Sequence, residues 1–322
     1  MQVVLAESRG LCTGFHRAIE IMETALRECG SPIYVLREAL RPVQMVDRLH
    51  AKGVRFIDSL SEVPAGGTVV FSAHGVPPQV EREAKARSLN IIDATCPLVS
   101  MIHADGARLT RTGGELVVIG QADHPETEAT LGRLGRRAHQ VGTIEDVARL
   151  DLATSPAIAY VVQTTLSVHD VWPVLSALRA RFPTITDLTA TNACTAVVYR
   201  QQAAWGLAGM VDLVLVVGDT NSPGCRSLRD IARQRGTPAE IVDSSLALDE
   251  GWLTGVNRLG ITAGLSTHDD LVQELIERLR TEGPLELWTL PEPKERIGGL
   301  NDAPRAMFPP LAKDAIAGVG AW

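Results

Sequence analysis

Residues 91–99 read Ile-Ile-Asp-Ala-Thr-Cys-Pro-Leu-Val. A short apolar run ends there in Cys96, and Pro97 follows at once, which reads as a buried strand delivering a thiol to the turn at its carboxyl end. Two other cysteines occupy similar places. Cys12 follows the strand-like stretch 2–6 within Ser-Arg-Gly-Leu-Cys-Thr-Gly, and Cys194 follows 184–188 within Ala-Thr-Asn-Ala-Cys-Thr-Ala. These thiols divide the chain into roughly equal thirds and are expected to converge in space.

Outward from this stretch, one unit recurs: an apolar strand, a loop rich in Gly, Ser, Thr or His, then an amphipathic helix. Strand 69–71 leads into Ser72-Ala73-His74-Gly75, strand 116–119 into 120–126, and strand 160–162 into Gln163-Thr164-Thr165-Leu166-Ser167. Strands 213–217 and 259–262 lead into 218–225 and 263–268. Strands alternating with helices predict an α/β chain with parallel sheets and helices on both faces. In such sheets sites form at the carboxyl ends of strands, where His74, His124, Glu126, Thr164, Ser222 and Ser266 all fall. The unit has no fixed period, which argues against a solenoid.

After Gly14 a helix is expected with Phe15, Ile19, Met22, Leu26 and Cys29 on one face, placing Cys29 in the core. Division near Cys96 and Cys194 gives domains at 14–96, 97–193 and 1–13 with 194–290. The tail 291–322, rich in Pro and Gly at its start, reads as a loosely ordered arm whose apolar end docks on the body.

Composition narrows the function. A chain of 322 residues, 45% hydrophobic with only 4% aromatics, can bury several α/β cores. A net charge of -7 argues against a nucleic-acid binder that neutralises phosphates. No apolar run is long enough to span a membrane, and no leader is visible at the start, so the expected location is the cytoplasm. There the five cysteines are not expected in disulfides.

Three thiols brought together suit a cubane iron–sulfur cluster, because thiolates are soft ligands and a missing fourth thiolate leaves one iron open. Cysteines in apolar segments also serve as small packed hydrophobes, and spacing does not choose between the two. A carboxyl such as Glu126, if buried, can hold a proton near neutrality. Thr164 can relay a proton. His74 and His124 can donate hydrogen bonds to an anion, and helix starts at Ser222 and Ser266 can offer amides to it. The alternatives are ordinary ones: His124 as a loop residue, and Ser222 as an N-cap before Pro223.

The set Arg9-Gly10-Leu11-Cys12-Thr13-Gly14, Ser72-Ala73-His74-Gly75-Val76, Asp93-Ala94-Thr95-Cys96-Pro97-Leu98-Val99, His124-Pro125-Glu126 and 163–167 resembles the LytB-type 4-hydroxy-3-methylbut-2-enyl diphosphate reductase family. The resemblance runs from about residue 1 to 282. It implies three similar parallel-sheet α/β domains around a central cavity and a 4Fe-4S cluster on Cys12, Cys96 and Cys194. It further implies an oxidoreductase of isoprenoid biosynthesis, a reductive dehydroxylase fed by ferredoxin or flavodoxin. Catalytic roles are carried over to Glu126 and Thr164, and substrate contacts to Arg41, His74, His124, Thr165, Ser222 and Ser266.

The departures from the family pattern gather at the diphosphate contacts. Arg41-Pro42 stands for His-Asn, and Asn221-Ser222-Pro223-Gly224-Cys225 for Asn-Ser-Ser-Asn-Ser. Thr267-His268 replaces Ala-Pro after Ser266, with Thr267 and Asp270 as a candidate capping box. After Cys194 the run 196–201 is more apolar than the family's Ala-Thr-Thr-Asn-Arg-Gln. Three readings follow: the family reaction on an allylic substrate; the same chemistry on a less phosphorylated one; or a non-catalytic cluster- or ligand-binding protein. Cys225 is an additional candidate thiol for the site, alongside the reading of a packed, idle one.

Overall fold

The computed structural model describes residues 1–36, 43–152, 155–188, 194–292 and 317–318. Arg41 and most of the tail lie outside them. In chain order the elements are β1 (Gln2–Ala6), α1 (Thr13–Cys29), β2 (Ile33–Leu36), α2 (Val43–Ala51), β3 (Val54–Ile57), β4 (Thr68–Phe71), α3 (Pro78–Ala86) and β5 (Asn90–Asp93). There follow α4 (Pro97–Arg111), β6 (Glu115–Ile119), α5 (Pro125–Leu134), β7 (Ala138–Val141), α6 (Ile144–Arg149), β8 (Ile158–Val162), α7 (Val168–Arg181) and β9 (Thr186–Asp187). The last part holds α8 (Thr195–Ala208), β10 (Leu213–Val217), α9 (Pro223–Gln234), β11 (Ala239–Val242), β12 (Arg258–Ala263), α10 (Asp269–Thr281), β13 (Glu286–Leu290) and β14 (Ala317–Gly318).

The chain separates into two compact units. One holds 1–12, 43–45, 194–292 and 317–318; the other holds 13–36, 46–152 and 155–188. The first carries the sheet β11-β10-β12-β1-β13-β14, parallel except for β14. Its strands are apolar at odd and even positions alike, because helices cover both faces. Val3, Leu5, Leu213, Leu215 and Val217 pack against Leu271, Leu275 and Leu279 of α10. Val4, Ala6, Val214 and Val216 pack against Ala204 and Leu207 of α8 and Leu228 and Ile231 of α9. Continuous apolar strands between helix layers are what a buried parallel sheet demands.

The second unit carries two parallel four-stranded sheets, β3-β2-β4-β5 and β7-β6-β8-β9. All three sheets share one order: a central strand flanked by the next strand in sequence on one side and the one after that on the other. The fold is therefore three parallel-sheet α/β domains built on one plan. In each the chain reverses direction across the sheet between the central strand and its second neighbour, and a crevice opens there beyond the strand ends. The registers finish level at these points: Leu36 opposite Phe71, Ile119 opposite Val162, and Val217 opposite Ala263. Loops leaving neighbouring strands consequently emerge side by side.

Three local expectations need correction. Cys29 is exposed rather than buried, because it is the last residue of α1, followed by Gly30 at φ +80°, and the buried stripe of that helix is Ala18, Met22 and Ala25. Thr267 does not cap α10. Its hydroxyl donates to Val217 O at 3.1 Å, and His268 is the N-cap, its Nδ1 accepting from Asp270 N–H at 3.3 Å. Ser266 accordingly lies in the turn before the cap, not at a helix start.

Candidate active site

Glu126 sits in the first turn of α5, just beyond β6, and Thr164 in the loop leaving β8. These strands form the crevice of their sheet, so the two residues meet. Thr164 donates its backbone N–H to Glu126 Oε1 at 2.8 Å and its hydroxyl to Oε2 at 2.6 Å. Glu126 is 3% exposed. Burial pushes its pKa up to about 7, against the lowering effect of both Thr164 hydrogen bonds. A carboxyl that is half protonated near neutrality, and already paired with a hydroxyl, is equipped to move protons.

Gln163 fixes this loop. Its Oε1 accepts from Gln121 N–H at 2.8 Å and from the Thr127 hydroxyl at 3.3 Å, while its Nε2 donates to Thr165 Oγ1 at 2.7 Å. Thr165 thus braces the loop from within.

His124 is the N-cap of α5, with Pro125 at the first helical position. Its Nδ1 accepts from Glu126 N–H at 3.3 Å, which leaves the proton of the neutral ring on Nε2. His74, in the loop after β4, stands edge-on to it with centroids 5.2 Å apart, and Phe15 stands edge-on to His74 at 6.1 Å. Burial lowers the pKa of His74 to about 3, aided by the charge of His124; burial also lowers that of His124 to about 4. Both rings are neutral near pH 7. His74 Nδ1 and Ser72 Oγ are buried and have no hydrogen-bond partner among the described residues. Buried polar atoms rarely go unpaired, so this pair points to a polar ligand.

The three cysteines share a local setting. Cys96 is the N-cap of α4 and donates its backbone N–H to Ala73 O at 2.9 Å, while Arg17 donates to the preceding carbonyl, Thr95 O, at 3.1 Å. Cys194 is the N-cap of α8. Cys12 immediately precedes α1 and donates its N–H to Leu265 O at 3.1 Å. A helix N-terminus favours thiolate over thiol, as metal ligation requires. None of the three is in a disulfide, and each is partly exposed. No three His, Cys, Asp or Glu side chains among the described residues are grouped to chelate a single ion. A cubane differs in that each thiolate holds a separate iron.

Cys12 and Cys194 belong to one unit, Cys96 to the other. Arg200, in the same unit as the first two, is electrostatically coupled to both. Sequence reasoning passed over this arginine as part of an apolar run. It also missed His103, buried on α4 and hydrogen-bonded to Thr130 of α5 at 3.2 Å. The signal available for each was a polar residue on a helix that starts directly after a cysteine.

At the crevice of the six-stranded sheet, Ser222 caps α9 and accepts from Cys225 N–H at 3.4 Å, with Pro223 at the first helical position. The ordinary N-cap reading of Ser222 therefore holds. Cys225 is 1% exposed, and burial pushes its thiol up to about 11. It fills a space left by Gly218, where a Cβ would stand 2.6 Å from its Sγ. That is the setting of a packed thiol. Ser266 is buried in the loop after β12.

Among the described residues no helix is long and apolar enough to cross a membrane. A family model described as LytB protein matches residues 3–280. A Bordetella pertussis protein named 4-hydroxy-3-methylbut-2-enyl diphosphate reductase is 46% identical over 296 residues, covering 92% of this chain and 91% of that protein. The solved structure of the E-1-hydroxy-2-methyl-but-2-enyl-4-diphosphate reductase from Plasmodium falciparum matches with a TM-score of 0.86 and 30% identity, over 92% of this chain and 93% of that one. A second solved structure, of (E)-4-hydroxy-3-methyl-but-2-enyl diphosphate reductase, the terminal enzyme of the non-mevalonate pathway, matches with a TM-score of 0.65 and 30% identity, over 87% and 99% of the two chains. Glu126 paired to Thr164, the two histidines and the helix-capping cysteines thus stand in a chain that belongs to the LytB protein family.

Proposed function

We propose that this chain is a 4-hydroxy-3-methylbut-2-enyl diphosphate reductase of isoprenoid biosynthesis. It takes up two electrons and two protons, breaks the allylic C–O bond and releases water, and yields isopentenyl and dimethylallyl diphosphate. The observation that carries the reading is the buried Glu126–Thr164 pair, a proton reservoir with its pKa near 7. The relatives lend no support to the altered-substrate or non-catalytic readings.

The donor set fits a 4Fe-4S cluster: three thiols, each at or next to a helix N-terminus, with a buried guanidinium beside two of them. Cys12, Cys96 and Cys194 are the residues that would hold it. When bound, it supplies the electrons one at a time and offers one iron without a thiolate. Glu126 holds the proton that departs with the hydroxyl, and Thr164 orients that proton through Oγ1. His124 Nε2–H and His74 donate to the diphosphate, with the α9 turn at Ser222 and the loop at Ser266 as further contacts. Arg41 adds a permanent positive charge, and Thr165 holds the loop in shape. Ferredoxin or flavodoxin serves as the electron donor, and the enzyme works in the cytoplasm. The domains run 14–96, 97–193 and 1–13 with 194–290; strands β1 to β13 divide among these spans one sheet to each, and the tail adds β14 to the six-stranded sheet.

The test is an anaerobic assay of reconstituted protein with a reduced one-electron donor, reading formation of both five-carbon diphosphates. Wild-type protein should turn over, and Glu126→Gln should bind iron equally but form little product. A fully loaded wild-type protein that leaves the diphosphate substrate unchanged would refute the assignment.

A further inference from the structure

Arg200 lies one full turn along α8 from Ala196 and is 7% exposed. Its Nε donates to Gly10 O at 3.0 Å, and Nη1 to Ala196 O at 2.8 Å. Nη2 donates to Arg9 O, Gly10 O and Leu11 O at 3.1, 2.7 and 3.2 Å. One side chain therefore gathers three consecutive carbonyls of the loop ending in Cys12 and one from the first turn behind Cys194. Gly10 makes this possible: its φ is +63°, and a Cβ there would stand 2.9 Å from Thr267 O.

Each of these acceptors is a neutral carbonyl. They solvate the guanidinium without cancelling its charge, and a buried cation is costly unless an anion lies near. Burial lowers its pKa, and the groups whose negative charge would oppose this are, in order, Cys12, Cys194 and Glu292. The structure thus places a buried positive charge, opposed among carboxylates by the exposed Glu292, where two thiolates would be.

We propose that Arg200 is a positioning residue for the iron–sulfur centre: it fixes the Cys12 loop to the start of α8 and supplies a buried positive charge that favours the reduced cluster. The inference rests on the cluster reading above. Its electrostatic half follows from sign alone, since adding an electron makes the cluster more negative and a nearby cation stabilises that state. Its geometric half depends on the planar fork, which lysine cannot reproduce.

The experiment reconstitutes wild type, Arg200→Gln and Arg200→Lys anaerobically. It measures iron and sulfide per chain, midpoint potential by EPR-monitored titration, and melting of the unloaded proteins. Arg200→Gln should hold less iron, and its remaining cluster should show a reduced-to-oxidised ratio about tenfold lower at a fixed potential, about 59 mV for a one-electron couple. Arg200→Lys should hold less iron at a potential near that of wild type. Full iron at wild-type potential in Arg200→Gln overturns the proposal. If Arg200→Gln does not fold, Arg200→Lys decides. Reduced iron in a protein that melts like wild type when unloaded supports positioning; wild-type iron content assigns Arg200 to folding alone and overturns it. Wild-type protein that assembles no cubane refutes the cluster reading itself, and is distinguished from failure of the arginine's role by that control.

Discussion

Glu126 and Thr164, 38 residues apart, share two hydrogen bonds, one from the Thr164 backbone and one from its hydroxyl. Level ends of β6 and β8 bring them together, and burial keeps the carboxyl's pKa near 7. The acid form therefore prevails below about pH 7. Turnover limited by proton delivery should fall as pH rises through that value, which a pH–rate profile checks.

Thr164→Val keeps the backbone hydrogen bond and removes the hydroxyl. Because that hydroxyl lowers the Glu126 pKa, the descending limb of the profile should move to higher pH. The rate should fall about 100-fold for loss of an oriented proton path.

Glu126→Gln should make the unloaded protein more stable at high pH. With a folded pKa raised from 4.5 to about 7, the carboxyl binds its proton more tightly when folded. Its ionisation therefore costs stability progressively from pH 4.5 to 7 and fully above that range. The gain on substitution should be small near pH 4.5 and reach about 3 kcal/mol at pH 8. Denaturant melts at the two pH values measure it.

His74 and His124 are neutral in the free protein, with pKa values lowered to about 3 and about 4. A bound diphosphate would raise both, so the histidines should take up a fraction of a proton on binding near pH 6 and none by pH 8, where any remaining uptake belongs to Glu126. Calorimetry in buffers of different ionisation enthalpy reads the uptake, and His124→Asn, which removes the ring of higher pKa and keeps a capping side chain, should abolish most of it.

Cys12→Ser, Cys96→Ser and Cys194→Ser should each lose most of the cluster absorbance. Cys225→Ser should leave it unchanged, because this thiol is buried against Gly218 and Gly264, while lowering stability by about 1 kcal/mol for the packing lost when a smaller oxygen replaces the sulfur. Iron content and thermal melts separate the two classes.

Local pattern determined much of this protein. Alternating apolar strands and helices, as in 213–217 followed by α9, set the α/β class, because continuous apolar strands are stable only between helix layers. The loops at strand ends marked where His74, His124, Glu126 and Thr164 stand, and the motifs around Cys12, Cys96 and Cys194 pointed to the family. What pattern alone missed was set by partners distant in the chain. Thr267 gave its hydroxyl to Val217 and left the helix cap to His268, and Cys29 ran past the buried stripe of α1 into solvent. The proton affinity of Glu126 depends on burial and on Thr164, and the placement of the Arg200 guanidinium on carbonyls 190 residues away. Desolvation and hydrogen bonding of this kind are properties of an environment, and only tertiary packing creates the environment.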